Sequence, residues 1–269
     1  MTAPSIAPAG YGPAGDVAAW RVFVRTCAAE WTRLWTVQAT WWFLGAAAVA
    51  MVGIGAIAGN EAGGSADPPQ GEAAWTAAVV TSLPGQFAFL AIALSAVTSD
   101  YTTGGIVPTL QWTTRRPVLF LARTTVAVGA ATVLGVLVAL AASLAAYVAA
   151  RPVLTLPADE GLDTLATVAF VFSAGAAIAV GLGFVLRNTA GTLVTVFLLM
   201  LVLPIMLPNL GYEWTTELAR LLPGTGAAFL LVGEVDGMTE TSSRVTMLLW
   251  AGGALLLGLL RLARTDANR

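Results

Sequence analysis

No lysine and no histidine occur anywhere in this chain, and cysteine occurs once. Without lysine there is no phosphate-gripping P-loop residue and no Schiff-base amine; without histidine there is no imidazole base and no histidine ligand for a metal or haem. Cys27 on its own cannot close an internal disulfide and reads as a small residue on a helix face. Charge of either sign is also scarce. It amounts to 10% of residues, against about 25% in an average soluble domain. A soluble surface could hardly be built from so little.

What is present instead is long uncharged sequence. Leu34–Asn60, Ala73–Ser99, Thr124–Ala150, Thr164–Leu186 and Asn188–Tyr212 each run 23 to 27 residues without a charge, and Val245–Leu260 runs 16. A helix needs about 20 apolar residues to cross a ~30 Å hydrocarbon core. The chain is therefore expected to be an all-α membrane protein with six transmembrane helices, at about 37–59, 77–98, 124–149, 164–186, 189–208 and 244–262. The sixth is the shortest, and the Thr and Ser residues before Arg244 offer it room to lengthen. Residues 1–15, rich in Pro, Gly and Ala and without a basic start, read as a disordered cytoplasmic tail rather than a cleaved signal, leaving 16–269 as one six-span domain.

With the N-terminus placed in the cytoplasm, ten of the thirteen arginines fall inside and only Arg151, Arg220 and Arg244 fall outside. That asymmetry obeys the positive-inside rule. Eleven acids fall outside and four (Asp16, Glu30, Asp100, Asp266) inside. The expectation is a multi-pass protein of the cell membrane with both termini cytoplasmic.

Three segments between or before the spans carry pattern. In residues 16–35, Val17, Trp20, Val24, Trp31 and Trp35 recur at helical steps with Arg21 and Arg25 on a neighbouring face, which suits an amphipathic interface helix or, more plainly, a cytoplasmic extension of the first span. Between spans 2 and 3 the stretch SDYTTGGIVPTLQWTTRRPVLFLAR is too long for a turn. Thr102, Thr103, Gly104, Gly105 and Pro108 interrupt it, apolar Ile106–Leu110 and Trp112 offer contact points, and Arg115–Arg116 before Pro117 mark a helix start. It reads as a docking knob for a cytosolic partner, or as a solvated connector. Between spans 5 and 6, Trp214, Leu218, Leu221 and Leu222 form a stripe, followed by apolar LLPGTGAAFLLVG. That run is too short to cross and suits an interfacial or re-entrant hairpin serving as an outer gate, or a surface-lying helix pair. Glycine pairs such as Gly181/Gly183 and Gly252/Gly253 read as helix-packing positions. The middles of the spans hold no ionisable residue, which argues against a proton- or ion-coupled carrier.

AEWTRLWTVQATWW (Ala29–Trp42), TSDYTTGGIVPTLQWTTRR (Thr98–Arg116) and LLPGTGAAFL (Leu221–Leu230), in this order across six spans, together resemble the membrane-spanning permease subunit of type-2 ABC exporters, of the actinobacterial antibiotic and multidrug kind. The resemblance covers the chain from about Asp16 onward. It implies a cytoplasmic coupling helix within Asp100–Arg116, with Asp100, Tyr101, Thr102, Thr103, Gly104, Thr109, Arg115 and Arg116 facing an ATP-binding subunit. Trp20, Arg21, Arg25, Glu30 and Arg33 would belong to the interface helix that moves with it. Leu222, Pro223, Gly224 and Phe229 are the outer-gate candidates. The sequence departs from the family at Gly105–Ile106–Val107, where a basic residue is common. Expected partners are two copies of the ATP-binding subunit, a second permease identical or homologous to this one, and membrane lipid, with no nucleic acid. The chain would export a lipophilic or amphipathic substrate using ATP hydrolysed by another chain. It would be no enzyme by itself and would hold no cofactor, catalytic residue or metal. The competing expectation is a non-transporting membrane scaffold or immunity protein.

Overall fold

The structure, a computed structural model, describes residues 19–65, 69–105, 116–233, 235 and 237–264, the side chains of 102 and 103 apart. The expected tail at 1–15, the coupling helix in the middle of the 100–116 loop, and with it Thr109 and Arg115, lie outside the described residues.

Helix α1 (Ala19–Thr36) meets α2 (Gln38–Gly64) with only Val37 between them. The joint is fastened twice: the Thr40 hydroxyl donates to the Leu34 carbonyl at 2.9 Å, and Trp41 Nε1 donates to the Trp35 carbonyl at 3.1 Å while the two rings meet tilted, their centroids 5.2 Å apart. Then follow α3 (Thr76–Thr103), α4 (Arg116–Ala149), α5 (Ala158–Leu186) and α6 (Thr189–Leu210). The short pair α7 (Glu213–Arg220) and α8 (Pro223–Val232) precedes α9 (Glu240–Arg264). Among the described residues every regular element is a helix, save a lone bridge between Ala73 and Thr155. Among the described residues six helices, α2 to α6 and α9, are long and apolar enough to cross a membrane, as a multi-pass membrane protein requires.

The helices run past the uncharged stretches. α4 opens at Arg116 with Pro117 in its first turn, so Arg123 lies inside the helix rather than before it. α9 opens at Glu240, whose carboxylate reaches Arg244 one turn on, and this gives the sixth helix 25 residues. α6 is not uniform. Pro204 has no N–H to offer the Met200 carbonyl and its ring crowds that oxygen. The helix widens into a π-turn at Leu198–Val202, with the Leu203 N–H bonding back to Leu198 O.

α3 and α5 are the buried helices of the bundle, and α2, α6 and α9 flank them. Aromatic pairs fill the core, Phe89 against Phe172 at 5.3 Å and Phe120 against Phe184 at 4.8 Å. Small residues set the helix spacing. Gly59 of α2 lies so close to the Ala146 backbone of α4 that a Cβ there would collide with it, and Gly55 meets Ala142 one turn away, a small-xxx-small seam of the membrane type. Gly181 does the same against Ala254 of α9. Gly252 and Gly253, by contrast, face open space, so the packing role expected for that pair falls to Ala254 and Gly258.

One end of the bundle gathers Arg33, Arg116, Arg123, Arg187, Arg261 and Arg264. The other carries the α2–α3 and α4–α5 connections and the α7–α8 pair, with most of the acids. They are called below the arginine-rich and acid-rich ends.

Candidate functional site

At the arginine-rich end three helices bring together four charges from three separate stretches of sequence. Arg33 comes from the last turn of α1, Asp100 from the last turn of α3, Arg123 from the second turn of α4, and Glu30 from α1, one turn before Arg33. Arg33 grips Asp100 through both carboxylate oxygens, Nη2 to Oδ1 at 2.7 Å and Nη1 to Oδ2 at 2.8 Å. It also donates to Glu30 Oε2 at 3.3 Å, to the Ser99 hydroxyl at 2.9 Å and to the Ala96 carbonyl at 3.1 Å. Arg123 sits behind it. Its Nε and Nη2 donate to Glu30 Oε1 at 3.0 and 2.7 Å, and its Nη2 lies 2.8 Å from Asp100 Oδ2.

Arg123 is 1% exposed, and Glu30 and Asp100 are 9% and 8%. Two cations and two anions sum to zero, which is the condition under which charges this buried are tolerated. The planar guanidinium suits the task, because each arginine bridges two carboxylates with a geometry an ammonium could not reproduce. Burial pushes the Arg33 guanidinium below its ordinary pKa, helped by the charge of Arg123, while Asp100 and Glu30 pull it back up. Arg123 Nη1 has no hydrogen-bond partner among the described residues.

Next to this cluster, the end of α9 is held by two more arginines. Arg116 Nη1 donates to the Leu262 and Ala263 carbonyls at 3.2 and 3.1 Å, and Arg187 Nη2 reaches Arg261 O at 3.4 Å. A helix C-terminus offers unpaired carbonyls and a negative dipole end, so arginine is the suitable cap. Arg187 ends α5 in the left-handed region with φ 56°, and its guanidinium lies over the Tyr101 ring at 5.2 Å. Tyr101 thus joins α3 to the α5–α9 side of the bundle.

The coupling residues expected from sequence divide accordingly. Asp100, Tyr101, Thr102 and Thr103 form the last turn of α3 rather than a loop, because α3 continues until Gly104 caps it in the left-handed conformation at φ 75°. Arg116 likewise belongs to a helix, the first residue of α4. Of the interface-helix residues, Glu30 and Arg33 face the bundle, while Trp20, Arg21 and Arg25 are exposed, as are Val24 and Trp31. Trp20, Val24 and Trp31 of the stripe therefore lie on the face of α1 turned away from the bundle, whereas Trp35 packs against the core and Val17 lies outside the described residues. Arg123 was counted in the sequence only as a topology-setting charge. Its signal was Pro117: a helix starting there carries Arg123 nearly two turns inward, toward the core.

The gate candidates lie at the acid-rich half, in the α7–α8 pair. Leu222, Pro223 and Gly224 are buried and Phe229 is half-buried. Gly224 presses on the Met200 carbonyl at the π-turn, where any side chain would collide. The Thr225 hydroxyl donates to Ala219 O at 2.5 Å, closing the corner between α7 and α8, and Gly233 ends α8 with its N–H on Phe229 O. Among the described residues no group of His, Cys, Asp and Glu is arranged to hold a metal ion. No protein-family model matches this chain, and no curated protein matches it.

Proposed function

We propose that this chain is the permease subunit of a type-2 ABC exporter, set in the cell membrane with its arginine-rich end in the cytoplasm. The observation that carries the reading is the Glu30–Arg33–Asp100–Arg123 cluster. It ties α1 and α4 to the last turn of α3, four residues before Gly104 caps that helix and the connection to α4 begins. A push delivered to that connection by an ATP-binding subunit would reach α1, α3 and α4 together, because the charges cannot part without leaving one of them buried and unpaired. α1, with Trp20 and Trp31 outward and Arg21 and Arg25 exposed, suits a helix lying in the cytoplasmic interface. The α7–α8 pair, wedged on the π-turn of α6, suits an outer gate over a path for a lipophilic or amphipathic substrate.

Purification from native membranes tests the reading. An ATP-hydrolysing partner in fixed ratio, and a permease dimer, are expected; substrate export by the chain alone in vesicles without ATP would sink it. Tyr101→Phe should leave the cluster intact and ATP hydrolysis coupled, whereas Asp100→Asn should lower substrate-stimulated hydrolysis. A membrane resistance phenotype that persists when ATP turnover is abolished would favour a scaffold or immunity protein instead.

A further inference from the structure

At the acid-rich end a cavity of about 200 Å³ opens between the second half of α2 and the first turns of α3. Its cause is the glycine seam: Gly55 and Gly59 draw α2 onto the backbone of α4, and the residues left facing α3 are too small to fill the gap. Ile54, Ala58, Ala77, Val80 and Leu154 line it with hydrocarbon, and Glu72 stands at its rim. The Thr81 hydroxyl, also on the wall, is already spent on the Ala77 carbonyl at 2.6 Å. Among the described residues the lining therefore presents apolar surface and one acidic residue. Glu72 is exposed and makes no ion pair among the described residues. Arg151, from the neighbouring α4–α5 connection, lies over the Tyr147 ring at 4.7 Å instead.

An apolar cavity of this size gives water little to bond to. A phosphate headgroup entering at the rim would meet Glu72, a like charge. A purely apolar chain would fill the gap but leave the carboxylate unused. We infer that this cavity is a binding site for a cationic amphiphile, its hydrocarbon part among Ile54, Ala58, Ala77 and Val80 and its ammonium group on Glu72. The complement is apolar body to apolar wall and cation to carboxylate, the arrangement by which small-molecule sites combine affinity with orientation. The site stands apart from the export reading, and binding needs neither ATP nor a partner.

The experiment uses the full chain in phosphatidylcholine nanodiscs, without nucleotide, titrated with a dansyl-labelled hexylammonium and with its neutral hexanol analogue. The ammonium should bind about tenfold more tightly than the alcohol, the scale of one charge-assisted contact. Glu72→Gln should erase that difference while sparing alcohol binding, and Glu61→Gln, outside the cavity lining, should preserve it. Ala58→Trp, which plugs the cavity from an exposed position, should abolish binding of both, with the milder Ala58→Leu weakening both. Equal binding of ammonium and alcohol to the unaltered protein would overturn the proposal and mark a crevice for lipid chains. So would a Glu72→Gln protein that still discriminates. Oxidative cross-linking of Ala58→Cys to its counterpart, in a Cys27→Ser background, would also overturn it, showing the face covered by a second copy.

Discussion

Ion pairs at the two ends of this bundle use the same residue types in opposite ways. At the acid-rich end Arg220 pairs with Glu217 and Arg244 with Glu240, one turn apart on a single helix, with the Arg244 and Glu240 side chains 49% and 65% exposed. At the arginine-rich end three of the four pairs join different helices, with partners 23 to 93 positions apart, and Glu30, Asp100 and Arg123 are buried; the fourth, Arg33 with Glu30, lies within α1. The exposed pairs decorate helices that would form without them. The buried cluster decides which helices meet. At the acid-rich end that task falls to shape, above all the contact of Gly224 with the π-turn. One end is therefore specified by charge and the other by the absence of side chains.

The largest test of this contrast is Arg123→Met. It removes a cation and leaves Glu30 Oε1 buried without its partner, so a loss of about 3–5 kcal/mol is expected. Denaturation of the purified protein in mixed detergent measures it; a loss under about 1 kcal/mol would mean that water compensates the carboxylate and that the ends are not so different. Gly224→Val should come next, at about 1–3 kcal/mol, because the added side chain meets a backbone carbonyl that cannot swing away. If it is silent, the α7–α8 pair is not held by close approach.

Cys27 offers a finer probe of the charged end. Its Sγ lies 4.0 Å from the Ala122 carbonyl on α4, and burial, with Glu30 nearby, pushes the thiol above its ordinary pKa. A raised pKa leaves less thiolate at a given pH. Maleimide labelling at pH 8 should thus be several-fold slower than for an exposed thiol and should accelerate only at more alkaline pH. Labelling at the rate of a free thiol would show α1 detached from α4. The smallest effect is expected for Arg244→Gln at the acid-rich end, about 0.3–0.5 kcal/mol for an exposed i,i+4 pair, shrinking further in about 1 M salt. A loss comparable to that of Arg123→Met would break the comparison outright.

The architecture was largely legible because crossing a membrane is a local property: each uncharged run must satisfy its own backbone as a helix, whatever its neighbours do. Helix ends were less so. They depended on Glu240 reaching Arg244, on Gly104 capping α3 and on Pro117 opening α4, so the helices outran the uncharged stretches. The site was legible in part. Glu30, Arg33 and Asp100 entered through family resemblance, but their mutual contact and the role of Arg123 required knowing that α1, α3 and α4 converge. Gly252/Gly253 misled because a glycine pair signals close approach only on the face turned to a neighbour, and spacing alone does not say which face that is.

What the sequence determined by itself is a hydrophobic frame of six helices, since the lack of charge and the length of each run follow from composition and the rise of a helix. The absence of lysine and histidine, likewise, narrowed the chemistry available to it. Tertiary structure decided the rest. It chose which arginine is buried and which is solvated, placed Gly224 on the carbonyl freed by Pro204, and opened the alanine-lined cavity below Glu72. Those outcomes depend on pairs of residues many turns apart, and a charge or a gap between helices exists only once the helices have met.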